Sequence, residues 1–238
     1  MSPLPGLLAL FTDAVMPIAI IRRETMNHAI NAALVTGLLA TTSLAGVIDL
    51  FAGDTVEMHG ITLAEDPTLA GTVIQDFAQG FVLPDPAGEP LTGSFHSRAS
   101  RRADTNQIDF RWRITIDSGK TGEISSIIIN GFAGWSVGVE YRVDAVGIVE
   151  PSHASRSVDD QYLGFHFNDP TLRYYDSHPF FARTEALEYD FSGTAQINMT
   201  NGESITLATF APVIPAPGAV SVLGIAALGT ARRRRSSM

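Results

Sequence analysis

The chain has 238 residues, a formal charge of −9 and no cysteine. Disulfides, thiolate metal sites and a cysteine nucleophile are thereby excluded, and the length suffices for one ordinary domain with targeting segments at its ends. The acidity sits in the middle: between Gly46 and Ala211, 23 Asp and Glu stand against 10 Arg and Lys, a surface that repels phosphate backbones and makes nucleic acid an unexpected partner.

Ile30 to Leu44 is an apolar run of signal-peptide length, and Ser43-Leu44-Ala45 supplies the small-x-small pattern of a cleavage site, with the cut expected between Ala45 and Gly46. Residues 26–45 therefore read as a signal peptide, and residues 1–25 as an extended n-region or a start placed too early. A start at Met16 would put Arg22 and Arg23 in the n-region, whereas a start at Met26 leaves it with little charge. The arginine pair lacks the preceding Ser and following Phe-Leu of a twin-arginine signal. Leu7 to Ile21 is a poor membrane span because it is short and carries Asp13 in its middle.

The exported domain, 46–211, begins with weak patterning. Val56 to Leu63 suggests a strand, Gly71 to Phe77 a strand or short helix, and Pro84 to Pro90 a loop. A clear period of two follows: Ile108, Phe110, Trp112, Ile114 and Ile116 alternate with Asp109, Arg111, Arg113, Thr115 and Asp117, which predicts one buried and one wet face. Ser118 to Gly122 is a turn into the isoleucine-rich run Ile124 to Phe132, and Val137, Val139, Tyr141 and Val143 alternate again. Tyr162 to Phe167, the set Leu187, Tyr189 and Phe191, and the set Ala195, Ile197 and Met199 continue the code. Asn201-Gly202 predicts a hairpin joining Thr194–Met199 to Ser204–Phe210. No stretch has helical periodicity, so the expected fold is all-β, an antiparallel β-sandwich or jelly roll.

Catalytic and metal motifs are not evident. His28, His59, His96, His153, His166 and His178 show no H-E-x-x-H or H-x-H spacing, and neither Asp159-Asp160 nor Asn168-Asp169 has the oxygen ladder of a calcium loop. There is no G-x-S-x-G, and no particular pair of carboxylates is singled out for glycoside hydrolysis. No cofactor is expected. Trp112, Trp135, Tyr141, Tyr162, Tyr174 and Tyr175 are candidates for a sugar-stacking platform, with Trp112 assigned to the core and Trp135 and the Tyr174-Tyr175 pair left freer.

The tail, 212–238, has three parts in order. Pro212, Pro215 and Pro217 with Gly218 form a hinge through which neither helix nor sheet should run. Ala219 to Ala231 carries no charge and rises about 20 Å as a helix, short of the roughly 30 Å hydrocarbon core. Nineteen uncharged residues are reached only by counting from Val213. Arg232, Arg233, Arg234 and Arg235 then stop transfer and hold the terminus on the cytoplasmic side.

This order, P-x-P-G, a short Ala/Gly/Leu-rich run and a terminal arginine block, resembles the PEP-CTERM sorting signal of bacterial exported proteins. The resemblance implies recognition by exosortase, a membrane-embedded transpeptidase-like enzyme, with cleavage near the proline element. Val213 and Ile214 match the apolar positions, Pro215 and Pro217 the two prolines, Gly218 the residue after them, and Arg232 to Arg235 the basic block. Ala216 stands where the family usually has glutamate. A looser resemblance over Leu91 to Ala211 is to the β-sandwich domains that precede such tails, carried by Phe110-Arg111-Trp112, Ile129-Asn130-Gly131-Phe132, Val139-Glu140-Tyr141-Arg142, Ser155-Arg156-Ser157 and Gly164-Phe165-His166-Phe167. Together they imply a non-enzymatic envelope or matrix protein with an N-terminal signal helix, a short C-terminal transmembrane helix and transient membrane contact. The alternative is a secreted polysaccharide-binding module or glycoside hydrolase with the same tail, its partner an extracellular polysaccharide.

Overall fold

A computed structural model describes residues 46–118, 122–168, 172 and 174–213. Its strands are β1 Ile48–Asp49, β2 Thr55–Glu57, β3 Thr72–Leu83, β4 Leu91–Arg101, β5 Ile108–Ser118 and β6 Ile124–Asn130. They continue with β7 Gly138–Tyr141, β8 His153–Arg156, β9 Tyr162–His166, β10 Phe180–Arg183, β11 Tyr189–Met199 and β12 Ser204–Pro212. Among the described residues there is one 3₁₀ turn, Pro67–Ala70, and no α-helix.

The strands form two six-stranded antiparallel sheets, ordered β1-β7-β10-β5-β4-β3 and β12-β11-β6-β9-β8-β2. The all-β expectation holds, and the sheets face each other across one core. From β5, Phe110, Trp112 and Ile114 point inward and are buried, as the alternation predicts. Trp112 meets Phe165 of the opposite sheet at 5.8 Å between ring centroids, and Phe165 meets Phe180 at 4.7 Å. Ile127, Ile129, Ala195 and Ile197 complete the facing layer.

The wet face expected of β5 is only partly wet. Asp109 is fully buried beneath a strap formed by residues 59–71. The strap begins where Gly60, at φ +76°, breaks the extended run expected over Val56 to Leu63, leaving only Thr55–Glu57 as strand. Glu140 accepts hydrogen bonds from the backbone N–H groups of His59, Gly60 and Tyr141. Asp66 caps the 3₁₀ turn by accepting from Thr68 N, and Leu69 and Ile61 form a second apolar cluster with Phe181 on the outside of the sheet. Arg111 donates to Leu69 O, and Arg183 donates to Asp66 and Thr68, so two guanidiniums pin the strap.

Of the segment Gly71–Phe77, all but Gly71 belongs to the long edge strand β3. The two alternating sets between Leu187 and Met199 fall largely in one strand, β11, with a bulge between Asp190 and Gly193. The hairpin expected at Asn201-Gly202 forms, with Thr194 opposite Ala208, Asn198 opposite Ser204 and Gly202 at φ +92°. β12 is an edge strand, and Pro212, the first hinge proline, is its last paired residue. Proline is tolerated there because one side of an edge strand needs no ladder donor.

Candidate functional site

Of the sorting residues, only Val213 is among those described, and its N–H donates to Glu188 O. Ile214, Pro215, Ala216, Pro217, Gly218 and Arg232 to Arg235 lie outside the described residues. So does Ala45, while Gly46 is the first described residue and is exposed.

The aromatic candidates divide. Trp112 and Tyr141 are core residues. Trp135 is half-buried against the core, and its indole N–H is buried without an acceptor. Tyr162, Tyr174 and Tyr175 are exposed. Asp160 pairs with Arg156 and accepts from Gly134 N, so it braces a turn. Among the described residues no group of three His, Asp or Glu is gathered as a metal cage.

Two histidines on the consecutive strands β8 and β9 meet on the outer face of the second sheet. His153 on β8 lies directly opposite His166 on β9, and their rings stack at 4.4 Å. Ser155 Oγ is 2.9 Å from His166 Nε2, and Ser152 Oγ is 2.9 Å from His153 Nδ1. Gly164 makes room, because a Cβ there would come within 2.6 Å of Ser155 Oγ and 2.8 Å of His166 Nε2. A nucleophile also needs a third group to orient the base, and the stacked His153 does not hold His166 in that way. Burial, reinforced by His153, lowers the His166 pKa.

The most developed constellation lies on the outer face of the first sheet, beside the strap. Arg98 on β4 sits directly opposite Arg111 on β5, and His96 directly opposite Arg113. These four basic side chains form a two-by-two block because outward positions recur every second residue on both strands. Arg142, at the end of β7, joins them, and Asp76 on β3 lies alongside. Ala145, Val146 and Pro179 supply apolar walls around a cavity of about 170 Å³. The loop bearing Ala145 and Val146 is fixed where Ile148 N and Val149 N donate to Asp176 O and His178 N donates to Val149 O.

Among the described residues each guanidinium has a carboxylate neighbour. Arg98 pairs with Asp76, Arg113 with Asp176, and Arg142 with Asp144. Arg111 stands 3.7 Å from Asp109, beyond hydrogen-bond distance. Asp176 also accepts from Ile116 N, and Asp144 from Leu63 N, so these two carboxylates are fixed and orient their arginines. Burial lowers the Arg111 pKa, and Arg142 and Arg98 lower it further against the opposing effect of Asp109. Burial, followed by Arg113, lowers that of His96. Such an arrangement can hold an anion. The sequence reading misses it: H-x-R at 96–98 and R-x-R at 111–113 were the available signal, but the register joining them is a tertiary fact.

Fold and site together define a two-sheet antiparallel β-sandwich with a basic pocket in an acidic shell. Comparison with protein-family models, with curated proteins and with solved structures returned no match.

Proposed function

We propose that this chain is an exported, non-enzymatic protein of a bacterial cell envelope or extracellular matrix, delivered by a cleaved signal peptide and handed to an exosortase-like sorting enzyme at its P-A-P-G hinge. The observation that carries the reading is the order of the tail: Pro215-Ala216-Pro217-Gly218, an uncharged run to Ala231, then Arg232 to Arg235. In this reading the N-terminal apolar run is a signal helix. The C-terminal run is a short transmembrane helix that parks in the bilayer while the arginines hold it, and the hinge offers backbone for cleavage. The position of Pro212 at the end of an edge strand supports a linker that leaves the domain at its border.

Replacing Arg232 to Arg235 with Ser is expected to shift the protein between membrane and medium in fractionated cells. An unchanged distribution would remove the main support for the reading.

The exposed Tyr162 and the arginine-lined cavity favour a second reading, a secreted polysaccharide-binding module or hydrolase with the same tail. A glycan array probed with the purified protein and with Tyr162→Ala separates the two. Loss of a glycan signal in the variant supports the second reading, and the absence of any signal supports the first.

A further inference from the structure

We propose that the pocket lined by Arg98, Arg111, Arg113 and Arg142 binds an organic carboxylate, its anionic end on the guanidiniums and its carbon body against Ala145, Val146 and Pro179. The proposal goes beyond the sorting reading and does not rest on it.

The domain has 10 basic residues among 23 acidic ones, yet four of its arginines line one small cavity. Arg98 and Arg111 stand directly opposite each other on neighbouring strands, as do His96 and Arg113. Like charges directly opposite across a sheet are destabilising, and Asp76 and Asp176 beside Arg98 and Arg113 offset part of that repulsion. A bound anion offsets more of it.

A guanidinium carries five N–H donors, and the aspartates beside these arginines do not exhaust them. Arg111 and Arg113 each keep a buried Nε–H with no acceptor. Asp176 and Asp144, held by backbone N–H groups, keep Arg113 and Arg142 in place for a fork-shaped contact.

The carbon walls give an inorganic anion nothing, whereas an organic acid covers them. Gly147, at φ +117°, holds the wall close, because a Cβ there would lie 2.2 Å from Ser177 O. The cavity, about 170 Å³, is smaller than the roughly 300 Å³ and upward of drug-binding pockets, and suits one ring or a short acid. The same carboxylate could arrive as a free acid or as a residue of an acidic polymer.

The test is titration calorimetry on the full-length protein with glucuronate, oligogalacturonate, neutral glucose and inorganic phosphate as probes. Glucuronate is expected to bind in a salt-sensitive manner, with glucose and phosphate at least about tenfold weaker. An oligomer that binds more tightly per chain than the monomer assigns the carboxylate to a polymer, and equal binding assigns it to a free acid. Arg98→Gln changes a side chain that is 44% exposed and should leave the melting temperature unchanged while weakening glucuronate about tenfold. Arg113→Gln should do the same, and Arg102→Gln, outside the pocket, should have no effect. The proposal is overturned if glucuronate does not bind at millimolar concentration, if phosphate matches it, or if both pocket variants bind as the wild type does.

Discussion

The indole N–H of Trp112 on β5 donates to Thr209 Oγ1 on β12 at 2.7 Å, tying the two sheets together through the core. Ser97 Oγ lies 2.6 Å from the same hydroxyl and accepts from Phe210 N, so one buried threonine serves two side chains from the facing sheet. Thr209→Val keeps the shape and removes the hydroxyl, which leaves buried polar groups unmatched. The expected loss is about 2 kcal/mol in denaturant unfolding, and adding Ser97→Ala should cost less than the two single losses combined. Additive losses would show that the three groups do not act as a unit.

Arg156 is a buried cation on the inner face, donating to Leu50 O, Phe132 O and Trp135 O and pairing with Asp160. It ties the chain after β1, the 132–135 turn and the β8–β9 connection to one point. Arg156→Met should cost about 3 kcal/mol, because several buried acceptors and a carboxylate lose their partner together. A melting temperature within error of the wild type would contradict this role.

Gly60 opens the strap at φ +76°, and an added Cβ would lie 2.3 Å from Val143 Cγ1 and 2.8 Å from the Tyr141 ring. Gly60→Ala is therefore expected to lose about 2 kcal/mol. The loss should be accompanied by faster hydrogen exchange at Leu69 and Ile61, since the strap is the element displaced. Unchanged exchange at these amides would mean that the strap is held from elsewhere.

The His166 pKa lies below its ordinary value through burial and the neighbouring His153. The folded state thus binds its proton less readily than the unfolded chain. The associated stability is present above about pH 6.5 and is lost as the pH falls through the folded value. Unfolding free energies of the wild type and His166→Asn at about pH 7.5 and about pH 5 should show the wild type losing more on acidification. Parallel losses would remove His166 from the effect.

Much of this fold was legible wherever one face of a strand faces the core alone. β5 and the β11–β12 hairpin follow from alternation and from Asn201-Gly202 because burial mainly on one side writes a period of two into the sequence, and β7 keeps that period although its outward Glu140 is buried where it meets the N–H groups of His59 and Gly60. β4 was not legible: its inward positions include Gly93 and Ser97, which are small or polar because Gly93 meets Thr115 O and Phe81 and Ser97 bonds Thr209. The burial of Asp109 depends on a strap that starts some fifty residues earlier, and the arginine cavity on the register of β4 against β5. No local pattern encodes either. The tail was read from residue order alone.

The central claim, that the tail is a sorting signal removed from the mature protein, is tested most directly by mass spectrometry of the C-terminal peptide of the exported form. The account predicts a mature chain ending at or near Pro215 to Gly218, without Arg232 to Arg235. An exported form that still ends at Met238 would contradict it.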